Sequence, residues 1–140
     1  MKKFTNDFNK IKLGKSYSSS KFYSADVMAE ILRKTIIENK DVKGCLISAE
    51  LTLIRNINEN YGYNTGNNYI KISEKAILGQ FENAIIGKKS AFEYYIFLHS
   101  DNDEDMYYEV EEKFDLIYEN NLFTAPDGKE YRIKFSVGYS

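Results

Sequence analysis

The chain has 140 residues, 43% hydrophobic and 29% charged, with twelve Tyr and nine Phe as bulky core material. That is the composition of one soluble globular domain and excludes a disordered chain. A net charge of −2 argues against nucleic acid as a partner, and the single Cys45 excludes an internal disulfide. No apolar run approaches the roughly 20 residues that cross a bilayer, and the basic N-terminus is not followed by the apolar stretch of a secretory signal. The sequence therefore predicts a cytoplasmic protein with no membrane partner.

Residues 1–24 are polar and Ser-rich and read as an N-terminal arm, leaving residues 25–140 as the domain. From Ala25 to about Asn39, Val27, Met28, Ile31, Leu32, Thr35 and Ile36 recur at helical spacing, with Ser24 as N-cap. CLISAELTLI (45–54) is an apolar run suited to a buried strand. Two glycines and several Asn then surround a turn, and Ile70, Ile72, Ala76, Ile77 and Phe81 predict a second helix from about Thr65 to Phe81. Residues 83–87 and 93–99 read as two strands joined by a short KKSAF connection. The acidic stretch 101–121 holds Met106, Val110, Phe114 and Ile117 at helical spacing. A PDG turn then separates two short strands, the second ending at SVGYS. The order α, β, α, β, β, α, β, β predicts an α/β (α+β) fold, a central sheet flanked by helices.

The stretch from Glu50 to Ile70, ELTLIRNINENYGYNTGNNYI, resembles without a gap the DxDxFKxINDxxGHxxGDxxL signature of GGDEF domains, the diguanylate cyclases of bacterial cyclic dinucleotide signalling. KKSAFEYYIFL occupies the place of RYGGDEFAILL, and FSVGYS is similar to the strand near the family's end. The resemblance spans about residues 25–140. It implies a nucleotidyl-cyclase-like central sheet, truncated after the SVG strand because the family's last helix and strand have no counterpart before Ser140.

The resemblance also implies chemistry. Family members join two nucleoside triphosphates with divalent ions held by hard oxygen ligands. One carboxylate position is Glu50 here. The second, third in the naming hairpin, is Phe92, which cannot bind a metal. Glu93 survives at the next position, but neighbours on a strand point to opposite faces, so it is not expected to take over. Ser90 and Ala91 replace two glycines that leave room for phosphate. Asn58, Asn67, Arg55, Gly62 and Gly66 fall on the nucleotide-binding positions, with Asn67 in place of an Asp. The RxxD of product feedback becomes Phe81 and Ala84.

These substitutions predict a degenerate, catalytically inactive module that binds a nucleotide or a protein partner. It requires no cofactor, and Mg²⁺ enters only with a nucleotide, with Glu50 as ligand. The expected partners are GTP, ATP or a cyclic dinucleotide, and a second copy or another protein meeting the aromatics Tyr94, Tyr107 and Tyr108. The alternative is a divergent metal-dependent nucleotidyl cyclase or nucleotide hydrolase with altered base preference, using Glu50 and Glu93. The lone His99 and Cys45 read as structural, and Asp101, Asp103, Glu104 and Asp105 as helix-leading acids without an EF-hand pattern.

Overall fold

A computed structural model describes residues 22–38, 43–100 and 106–139. The strand β1 (Tyr23–Ser24) leads into α1 (Ala25–Glu38), followed by β2 (Lys43–Leu51), α2 (Ile54–Tyr61) and α3 (Tyr63–Gln80). The hairpin β3 (Ile85–Ser90) and β4 (Glu93–Ser100) precedes α4 (Met106–Asn120), and three short strands follow: β5 (Leu122–Thr124), β6 (Glu130–Arg132) and β7 (Phe135–Tyr139). Five strands form one sheet in the order β1-β3-β4-β2-β7, with β1 parallel to β3 and the other neighbours antiparallel.

Strand alternation assigns every side chain to one of two faces. In β2, Cys45, Ile47, Ala49 and Leu51 are buried, while Ser48 and Glu50 are exposed. Pairing carries the pattern across the sheet, because Ala49 faces Tyr94 and Ile47 faces Ile96. These residues make the first face, whose core joins Ile57 of α2, Tyr69 and Ile77 of α3, and Val110 and Ile117 of α4. The second face is smaller, with Tyr23, Met28, Ile31, Ile85 and Phe97 packed together under α1. Ser24 caps α1 as expected, accepting from the Val27 N–H at 3.2 Å. Gly87 is required on this face, since a methyl group there would overlap the Met28 side chain.

Four readings of the sequence are corrected. Phe22 and Tyr23, assigned to the arm, are buried at 1% exposure in the two cores; residues 1–21 lie outside the described residues. The first long strand ends at Leu51 rather than residue 54, because Leu53 adopts a left-handed backbone (φ 68°) and Ile54 opens α2. That helix, read as part of a turn, buries Ile54 and Ile57 and ends at Gly62, whose φ of 89° favours glycine. Finally, the last strand is two: β6 pairs with β5 across the PDG turn, and β7 joins the main sheet beside β2. The acids at 101–105 are outside the described residues. No helix among the described residues is long and apolar enough to cross a membrane.

Candidate functional site

On the second face, α1 packs over the β1–β3–β4 side, and among the described residues no helix packs over the β2–β7 side. There Glu50 stands in register with Glu93 on one side and Ser136 on the other. An open cavity of about 510 Å³ lies over them, lined also by Ser48, Lys89 and Tyr95. The floor is flat because Gly138 pairs with Ser48, and a Cβ on that glycine would crowd the Ser48 hydroxyl.

The hairpin corrects one expectation. Ala91 and Phe92 form the turn, and Phe92 packs against the first-face core, whereas Glu93 opens β4 on the same face as Glu50. Alternation does separate Phe92 from Glu93, but it is Glu93 that joins Glu50. Ser90 holds it there, donating to Glu93 Oε1 at 2.9 Å. Directly opposed strand residues have Cβ atoms about 5 Å apart, so two negative charges repel unless a cation or proton sits between them. Two carboxylates fit Mg²⁺ that arrives with a phosphate, which supplies the remaining oxygens. Among the described residues no group of three His, Cys, Asp or Glu side chains could hold a metal alone.

The elbow between α2 and α3 positions Asn58. Its side chain lies so close to Gly66 that a methyl group there would overlap the carboxamide. Asn58 is half-buried at the elbow, and its carbonyl accepts from the Gly62 N–H at 2.9 Å. Thr52, where the signature has its second Asp, is tied down instead: its N–H and hydroxyl both donate to the Lys134 carbonyl, at 3.0 and 2.8 Å. Its own carbonyl accepts from the Tyr69 hydroxyl at 3.0 Å. Arg55 is exposed on α2 and makes no hydrogen bond or ion pair among the described residues.

Asn67, next to Gly66 on α3, points elsewhere. It lines a second open cavity, about 540 Å³, between α3 and the hairpin on the first-face side of the sheet. At the back of this cavity Glu74 is buried at 9% exposure, and its Oε2 accepts from both the Tyr94 hydroxyl at 2.6 Å and the Lys88 ammonium at 2.5 Å. Burial first, and the Glu74 carboxylate second, push the Tyr94 phenol far above its ordinary range, so it remains a donor. Tyr94 is therefore a core residue and not part of an aromatic surface, whereas Tyr107 and Tyr108 are exposed at 51% and 66%. Sequence reasoning passed over Glu74. The signal was there: Glu74 is an acid at a buried position of an apolar helix face, four residues after Ile70 and three before Ile77. Cys45 is buried, which pushes its thiol up and fits a structural role.

No family model matches the chain, and no curated protein does either. Solved structures match well. The GGDEF domain of DgcB from Caulobacter crescentus, in complex with c-di-GMP, superposes with a TM-score of 0.71 at 13% identity, over 84% of this chain and 71% of that one. A diguanylate cyclase/phosphodiesterase from Caldicellulosiruptor saccharolyticus gives 0.67 at 19% identity, over 84% and 69%. The FimX GGDEF domain from Pseudomonas aeruginosa gives 0.68 at 13%, over 84% and 74%. The chain has the GGDEF fold.

Within that fold the sequence resemblance gains a spatial meaning. The Glu50 strand and the hairpin strand that opens at Glu93 are neighbours in the sheet, although the two acids are 43 residues apart. Phe81 and Ala84, at the feedback positions, are both buried in the first-face core of the GGDEF fold.

Proposed function

We propose that this GGDEF-fold domain is a signalling module that binds a nucleotide without cyclising it and passes the bound state to a protein partner or a second copy. The observation that carries the reading is Phe92. Its ring packs against the first-face core at the hairpin position where the resemblance places a metal-binding carboxylate, so that position supplies no ligand. The elbow, with Asn58 laid against Gly66, supports retention of a nucleotide site, and Asn67 in place of an acid leaves no guanine-selecting carboxylate at that position. The candidate ligands are GTP, ATP and cyclic dinucleotides.

A thermal-shift titration with each of these, with and without Mg²⁺, tests the reading, because a ligand that binds the folded state raises its apparent stability. The expected result is a rise with at least one nucleotide and no cyclic product by chromatography. Absence of any shift would overturn nucleotide binding.

One observation favours a second reading, a divergent cyclase or nucleotide hydrolase. Glu93 shares the face of Glu50, so the two would hold a phosphate-borne Mg²⁺ and neutralise phosphate charge, the ion polarising the phosphoryl group when bound. Steady product formation that Glu50→Ala abolishes would select this reading over the first.

A further inference from the structure

The cavity between α3 and the hairpin carries a charge imbalance that the fold does not resolve. Three lysines line it, Lys71, Lys75 and Lys88, against the single acid Glu74. Glu74 is already committed, since its Oε2 accepts from both Lys88 and Tyr94. Lys71 and Lys75 stand one helical turn apart and make no ion pair or hydrogen bond among the described residues. Like charges at this spacing lower helix stability, so an anion that bridges them relieves a built-in repulsion. The remaining wall is apolar, formed by the half-buried Ile70 and Leu78, with Asn67 at one end.

We propose that this cavity binds a phosphorylated ligand carrying a flat ring, with Lys71 and Lys75 on the phosphate and the ring against Ile70 and Leu78. The assignment rests on the nucleotide-binding reading and locates the phosphate within it. It has a geometric consequence. Phe22, Lys88 and α3 are on the first-face side of the sheet, whereas Glu50 and Glu93 are on the second, so a phosphate held by Lys71 and Lys75 is separated from the carboxylates by the sheet itself. Binding without turnover then follows from where the phosphate sits, in addition to the loss at Phe92. Lys88 supports the site from behind as a positioning residue, its ammonium fixed by Glu74.

The test is equilibrium binding of ATP, GTP and inorganic tripolyphosphate to the full chain, comparing wild type with Lys71→Ala/Lys75→Ala and with Lys34→Ala on α1 as a remote lysine control. Alanine at exposed helix positions keeps the fold, which circular dichroism checks. Two charge-assisted contacts removed together weaken phosphate binding at least about tenfold, while Lys34→Ala leaves it unchanged. Nucleotide binding that the double variant leaves intact would overturn the lysine site and keep the functional reading. Lysine-dependent binding of tripolyphosphate but of neither nucleotide would overturn the ring-bearing ligand together with the functional reading and leave only an anion site. No binding by any of the three would overturn both.

Discussion

The Tyr94 hydroxyl donates to Glu74 at 2.6 Å, and this one bond ties the β3–β4 hairpin to α3 from inside the first-face core. A hydrogen bond to a buried carboxylate contributes about 1.5–3 kcal/mol. Tyr94→Phe keeps the ring and its packing against Phe22 and Phe135 but leaves Glu74 with Lys88 alone. The expected loss of stability is therefore about 1.5–3 kcal/mol, read as a lower urea midpoint at unchanged slope. Adding Glu74→Gln should remove much of the difference between Tyr and Phe, and a double-mutant cycle measures that coupling.

A second prediction concerns the elbow. Gly66→Ala places a methyl group in the space of the Asn58 carboxamide. Overpacking of this kind costs about 1–3 kcal/mol. Shortening Asn58 to Ala in the same chain should restore most of it, whereas Asn58→Ala alone should be mild because the residue is only half-buried. Equal destabilisation in the single and double variants would show that the clash does not set the packing of α2 on α3.

How much of this was legible beforehand differs by element. Helix α1 was clear because Ser24 and the spacing from Val27 to Ile36 agreed on the same segment, and the structure keeps both its start and its cap. Helix α2 was not, because Asn-rich sequences are weak helix formers and only Ile54 and Ile57 mark its buried side. A left-handed Leu53 could not be read either, since nothing in a leucine advertises that conformation. The site residues Glu50, Asn58 and Phe92 came from spacing against a known signature. The face of Glu93 needed the register of β2 against β4, which a single strand's sequence does not contain. The Glu74–Lys88 pair joins residues fourteen apart on different elements, and pairing of that kind is a tertiary fact.

The pH dependence follows from the buried phenols. Burial pushes Tyr23 and Tyr69 from 10.0 up to about 12, and Tyr94 higher still. A raised folded-state value means that the folded chain holds the proton more tightly. Their contribution is therefore complete below pH 10 and is lost as pH climbs from 10 through about 12. Unfolding monitored from pH 8 to 12 should begin to fall near pH 9, where the unfolded Cys45 thiol starts to ionise, and fall steeply above pH 10; a flat profile through pH 11 would contradict this. On the acid side Asp127 behaves oppositely, its carboxyl lowered first by the Lys129 N–H and then by the Tyr61 hydroxyl. Its contribution is present above the usual carboxylate range and disappears as pH falls below it.

The facing carboxylates give a prediction with an unusual sign. Like charges directly across a strand pair destabilise, and pairs of this kind contribute about 0.2–1 kcal/mol. Glu50→Gln removes the repulsion against Glu93 and keeps the hydrogen-bonding shape. The variant is expected to melt slightly higher than wild type in EDTA. Added Mg²⁺ without nucleotide should leave wild type unchanged, whereas a rise in wild type that the variant lacks would support the metal-dependent reading.

The inequality of the two cores has its own consequence for how the molecule opens. Among the described residues the second face is held by five buried side chains, contributed by β1, α1, β3 and β4, while the first face gathers three helices and the central strands. Stability is distributed accordingly, and segments with few buried contacts open at lower free energy than the whole. The segment of α1 and β1 is therefore expected to exchange its amide hydrogens faster than β2, β4 and β7, and Ile85 and Phe97 are the side chains that its opening would uncover.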